Sequence, residues 1–134
     1  MKRRPLAVAL GVAAALTLTG CSQNSDQNTV AQLALKDAKA HAIAGQQANT
    51  AGTWTWKTGY AVLTRTTGKN SSGPYTNWEA YGYEKSGSGR WQLIDKSMVD
   101  GQQYTPSKTP HKATCFALAG SDYGEQQQCE QLTD

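Results

Sequence analysis

The chain changes its hydrophobic pattern four times. Residues Leu6 to Leu18 form an apolar run broken only by Gly11 and Thr17, with Lys2, Arg3 and Arg4 ahead of it. Such a run is too short to span a bilayer comfortably, which takes about 20 apolar residues. Ser22 to Asn28 (SQNSDQN) has no apolar residue. That composition predicts a flexible, solvated tether, spanning about 25 Å when extended. From Thr29 to about Gln47 the residues are good helix formers, with Leu33, Leu35, Ala38, Ala42 and Ile43 as an Ala-rich stripe. A helix is expected there, capped by Asn28 or Thr29 and fraying near Gly45.

From Thr53 the period becomes two. Trp54, Trp56, Tyr60 and Val62 share one parity, which predicts one strand with Gly59 inside it at a bulge. Gly68 to Pro74 (GKNSSGP) reads as a loop. Its Asn70-Ser71-Ser72 matches a glycosylation sequon by chance. Tyr75 to Lys85 and Arg90 to Lys96 flank Ser86-Gly87-Ser88-Gly89, the pattern of an antiparallel hairpin. Gly101 to His111 reads as a loop. Thr114 to Ala119 (TCFALA) is a short apolar run open to either strand or helix. Gly124 to Asp134 is a polar tail. These elements make an α+β fold: an N-terminal helix packed on a three- to four-stranded antiparallel sheet.

Composition then sharpens the picture. After Cys21, Val, Ile, Leu and Phe occupy only 12 positions, against 11 aromatics, nine of them between Trp54 and Tyr104. A small aromatic core is expected. The formal charge of the 134-residue chain is +3, but Lys2, Arg3 and Arg4 supply three of its 13 basic residues. The ten left balance ten acidic residues, all of which follow Cys21. Charge after Cys21 is therefore neutral. No basic stripe marks a nucleic-acid or anionic-lipid surface.

The N-terminus ends its apolar run in Leu18-Thr19-Gly20-Cys21. Basic n-region, apolar run and this tetrapeptide closely resemble the bacterial lipoprotein signal. The small residues admit the backbone to a peptidase, and the thiol takes a diacylglyceryl group. The resemblance implies cleavage before Cys21, lipidation of Cys21, and a single domain over 29–134 that follows a signal at 1–20 and a tether at 21–28. It also implies an anchor on the extracytoplasmic face of the cell membrane. Pro5 after Arg3-Arg4 points to general secretion over twin-arginine export. In that compartment a disulfide is the expected state of the two remaining cysteines, Cys115 and Cys129. A metal or redox pair lacks CxxC spacing and a His at ligand distance in sequence. The hairpin with its Arg90-Trp91-Gln92-Leu93-Ile94 run loosely resembles those of nuclear-transport-factor-like or cystatin-like helix-plus-sheet lipoproteins. That resemblance covers about 20 residues and carries no functional residue.

Motifs for nucleophilic, zinc-hydrolytic or phosphate-binding chemistry are missing. No cofactor or metal site is expected. His41 falls on the first helix and His111 in a loop. Glu79 and Glu84 have opposite parity and point to opposite faces. The best candidate contacts are aromatic. Both faces carry aromatics, Tyr81 and Tyr83 opposite Trp78, and one helix covers one face of a sheet, so at least one aromatic is expected to stand exposed, Trp78 or Tyr75 beside the 68–74 loop. Three function classes follow: a non-enzymatic module engaging an envelope protein; a glycan- or peptidoglycan-binding, hydrolase-inhibiting or exclusion lipoprotein; and a small hydrolase. A cavity joining His111 to a carboxylate would favour the third.

Overall fold

A computed structural model describes residues 25–99 and 110–132. The signal, Cys21 and Tyr104 lie outside the described residues. Helix α1 occupies residues 25–41. Strands β1 (Gln47–Trp56), β2 (Gly59–Asn70), β3 (Gly73–Lys85) and β4 (Trp91–Val99) follow, then α2 (Pro110–Ala119) and α3 (Tyr123–Glu130). The strands form one antiparallel meander in the order β1-β2-β3-β4. The expected α+β architecture is present, with two further helices after the sheet.

Several boundaries move. Residues 25–28, expected in the tether, are helical. Thr29 is no cap: its hydroxyl donates to the Ser25 carbonyl at 2.8 Å, as a helix-interior threonine does. Asp26 reaches Lys85 at 3.8 Å, tying this first turn to the end of β3. The helix also stops early. Gly45 takes a positive φ of 88°, and Gln46 bonds back to the Ile43 carbonyl, so Gln47 already begins β1.

The run Trp54 to Val62 is two strands, not one. The chain reverses at Lys57-Thr58, and Trp56 pairs with Gly59, Trp54 with Ala61 and Thr53 with Val62. Directly opposed residues share a face, so the reversal sends Trp54 and Trp56 to one side and Tyr60 and Val62 to the other. Their common sequence parity is a coincidence of turn length. Lys57 carries the conformational strain, at φ 53°. Gly59 is no bulge. A β-carbon there would collide with the Tyr83 carbonyl, so only glycine lets the two backbones approach. The actual register breaks lie between Thr50 and Gly52 and between Gly82 and Tyr83. The expected loop 68–74 shrinks to a two-residue turn, with Asn70 paired to Gly73. The β3–β4 hairpin is as expected. Gly89 at φ 85° donates to the Ser86 carbonyl and closes it.

Each face of the sheet has its own core. On one, Val30 and Ala34 of α1 pack on Val62, Tyr81 and Tyr83, with Tyr60 and Trp91 at the margin. On the other, Ala113, Ala117 and Leu118 of α2 pack on Ala61, Leu63, Ala80 and Val99, with Trp54, Trp56 and Trp78 beside them. The small residues are what make room for indoles: the Trp56 ring lies across Gly82. The molecule is thus three layers, helix on sheet on helix.

The second helical layer corrects the expectation of a bare face. Thr114 to Ala119 belongs to α2, which starts earlier, at Pro110, inside the expected loop. Proline suits a first helical position because its missing N–H is unneeded there. The polar tail is also helical. Asp122 caps α3, accepting from the Glu125 N–H at 3.0 Å. Cys115 and Cys129 form a disulfide, Cα–Cα 5.6 Å, that joins α2 to α3.

Candidate functional site

Three places were open to chemistry: the expected aromatics, the polar seam under α1, and the end of the molecule where α2 and α3 meet the β1–β2 turn.

Trp78 and Tyr75 do not form a platform. Trp78 is half-buried against the α2 core. Tyr75 is half-buried, its ring across Gly68 and its hydroxyl accepting from Gln46 Nε2 at 2.6 Å. Both side chains have structural work because both faces are covered. Among the described residues the most exposed aromatic is Tyr123, 71% accessible at the start of α3. Its sequence neighbourhood is polar and irregular, so periodicity carried no sign of it.

The polar seam is electrostatic. Lys96 on β4 bonds Asp37 of α1 at 2.7 Å and lies 3.7 Å from Glu79. Its ammonium also stands 5.3 Å from the centre of the Tyr81 ring. The Lys96 hydrogen bond holds the Asp37 carboxyl below the usual carboxylate range, against the opposing effect of burial. The Asp37 bond in turn raises Lys96. Desolvation first, then the Glu79 charge, pushes the Tyr81 phenol far up. Tyr83 is pushed up to about 12, chiefly by desolvation. Neither tyrosine ionises at ordinary pH, so this seam ties α1 to the sheet. His41 is exposed and donates from Nδ1 to the Asp37 carbonyl of its own helix at 2.8 Å.

The third place is a cavity. The β1–β2 turn sets Trp56 and Lys57 against the α2–α3 pair, leaving a space of about 160 Å³. Trp56, Ala61, Ala119 and the Cys115–Cys129 disulfide wall it, and Lys57, His111, Glu125 and Gln128 supply polar groups. Lys57 and Glu125 form an ion pair whose hydrogen bond raises the Lys57 pKa. The Lys57 ammonium stands 4.7 Å from the centre of the Trp56 ring. His111 is helical, not in a loop, and stacks on Trp54 with ring centres 5.2 Å apart and planes 4° from parallel. The cavity therefore does bring His111 and a carboxylate onto one lining. Its volume is below the roughly 300–1,000 Å³ of most small-molecule pockets. Among the described residues, no group of three His, Cys, Asp or Glu side chains is placed to hold a metal ion.

A different surface was not singled out by the sequence. β4 is one of the two edge strands of the sheet among the described residues, β1 being the other. Leu93, Ile94 and Met98 on it are 46%, 49% and 57% exposed. Leu93 and Ile94 sit beside the break in register with β3, which has no signature in residue type.

No protein-family model matches the chain, and neither a curated protein nor a solved structure matches it.

Proposed function

We propose that the chain is a lipid-anchored, non-enzymatic interaction module on the extracytoplasmic face of a bacterial cell membrane, engaging an envelope protein. The observation that carries the interaction is the β4 edge. A chain with so few aliphatic side chains leaves Leu93, Ile94 and Met98 in water on one strand. Unpaired strand edges with apolar side chains invite a partner, and natural folds usually blunt them.

The anchor rests on Leu18-Thr19-Gly20-Cys21 and gains support from the disulfide, which suits an oxidising compartment. Three residues lie between Cys21 and Ser25, where α1 is already helical, so covalent reach over four Cα steps holds the domain within about 14 Å of its lipid. The module therefore works at the membrane surface. Glycan binding has less support, because Trp78 and Tyr75 are half-buried and stand on opposite faces of β3. The hydrolase reading has one observation in its favour, the lining shared by His111 and Glu125. Against it, Lys57 neutralises that carboxylate and the cavity is too small for a polymer.

Site-specific photo-crosslinking in the bacterial envelope tests the proposal. A photoreactive residue at Ile94 or Met98 is expected to give one discrete protein adduct, and one at Ser71, in the opposite turn, none. Equal smears from all three positions, or none at all, would refute an interface on β4. Pelleting of the full chain with insoluble peptidoglycan, reduced in Trp78→Ala, would favour the glycan reading instead.

A further inference from the structure

We propose that the cavity between the β1–β2 turn and the α2–α3 pair binds a single aromatic ring with a hydroxyl substituent, a phenol in size and chemistry. This goes beyond the interaction reading above and holds wherever the chain is anchored.

Size comes first. An apolar protein cavity of about 150 Å³ accommodates benzene. The space here, about 160 Å³, matches one ring and no more. A disaccharide or a nucleotide is too large to be enclosed there. The walls come second. Trp56 presents an indole, and Ala61, Ala119 and the disulfide present small apolar or sulfur surfaces. Aromatic rings favour indole faces and edges, and sulfur is a good neighbour for a ring. Alanines at 61 and 119 are what keep the space open, since larger apolar side chains at either position would project into it. The polar groups come third. Lys57 and Glu125 form a donor–acceptor pair on the same lining, with Gln128 nearby. A phenolic hydroxyl offers one donor and one acceptor, and it can insert beside that ion pair without leaving a polar atom unsatisfied. A plain hydrocarbon ring would gain the wall contacts alone.

Two sources present this chemistry: a free phenolic compound and a tyrosine side chain of a partner protein. The test separates them. The full-length chain with its disulfide intact is titrated by NMR with p-cresol, N-acetyltyrosinamide, toluene and 4-methylcyclohexanol. Expected is saturable movement of the Trp56 indole N–H and the Ala61 and Ala119 methyl signals with p-cresol. Toluene should bind at least about tenfold more weakly, one hydrogen bond being worth about that factor, and 4-methylcyclohexanol should leave the signals in place. Parallel binding of N-acetyltyrosinamide assigns the site to a protein side chain, and binding of p-cresol alone assigns it to a free phenolic. Ala119→Leu fills the cavity and should abolish the response at an undiminished melting temperature. Leu132→Trp, which adds bulk on the same lining, serves the same purpose if the first variant does not fold. No saturable change at these three residues in the native chain overturns the proposal. So does a response that persists in a folded, cavity-filled variant.

Discussion

Gly59 shows how one missing β-carbon shapes the sheet. Its backbone lies against the Tyr83 carbonyl, where any side chain would collide with main chain rather than with a yielding side chain. Gly59→Ala is therefore expected to lower stability by about 2–4 kcal/mol, read as a fall in the urea midpoint. An unchanged midpoint would mean the β1–β2 turn repacks freely. The Asp37–Lys96 pair makes a smaller, pH-dependent contribution. Asp37 is lowered in the folded state, so its share is complete above the unfolded value of about 3.9 and disappears as pH falls through the lower folded value. Lys96 is raised, so its share is complete below about 10.4 and is lost as pH rises through its folded value. Both side chains are about a third exposed, at 32% and 30%, which limits the pair to roughly 1 kcal/mol or less. Asp37→Asn should cost about that much at pH 7 and almost nothing at pH 2, measured by urea unfolding at each pH. Equal losses at both would place the effect in packing instead.

At the scale of elements, the most consequential structure is the pair α2–α3. Its disulfide closes a separation of 14 residues, worth roughly 3 kcal/mol in the chain-entropy account. Cys129→Ser with Cys115→Ser is expected to lose about that amount and to lose amide-exchange protection first in α3, whose only buried residue is Cys129. Full protection in α3 after removing both sulfurs would show that Asp122 capping suffices. Legibility divides along the same line. The β3–β4 hairpin was readable because Gly-rich spacing and aromatic alternation agree there. The β1–β2 reversal was hidden because a two-residue turn, Lys57-Thr58, contains no Asn, Asp or Gly and leaves the alternation unbroken. α3 has no apolar stripe at all. Its one available sign was Asp122 three residues ahead of Glu125, a capping pattern. α1 was visible in propensity, but its first described turn is tied to the sheet by Asp26 with Lys85, and a turn through Gly45, at positive φ, brings the chain into β1 sooner than propensity implied.

The whole molecule follows from covering both faces of a meander with short helices. Small residues on the sheet, Ala61, Ala80 and Gly82, leave volume that Trp54, Trp56 and Trp78 occupy, so aromatics replace the scarce aliphatics as core. That is why Trp78, readable as exposed under a single helix, packs beside the α2 core; Tyr75, on the other face of β3, lies across Gly68 and bonds Gln46 instead. Fold class and disulfide were legible because pattern and cysteine arithmetic fix them without long-range detail. The β4 edge was not, since the register break beside Leu93 and Ile94 has no signature in residue type, and neither was the cavity, which arises where elements distant in sequence meet. We propose that lipid on Cys21 holds this three-layer domain at a membrane. Mass spectrometry of the full-length protein made in a bacterial host tests it most directly. Expected is a mature chain beginning at Cys21 and carrying diacylglyceryl mass, with Cys21→Ser giving an unlipidated chain that leaves the detergent phase. A wild-type chain that is uncut, or cut elsewhere with an unmodified Cys21, would contradict it.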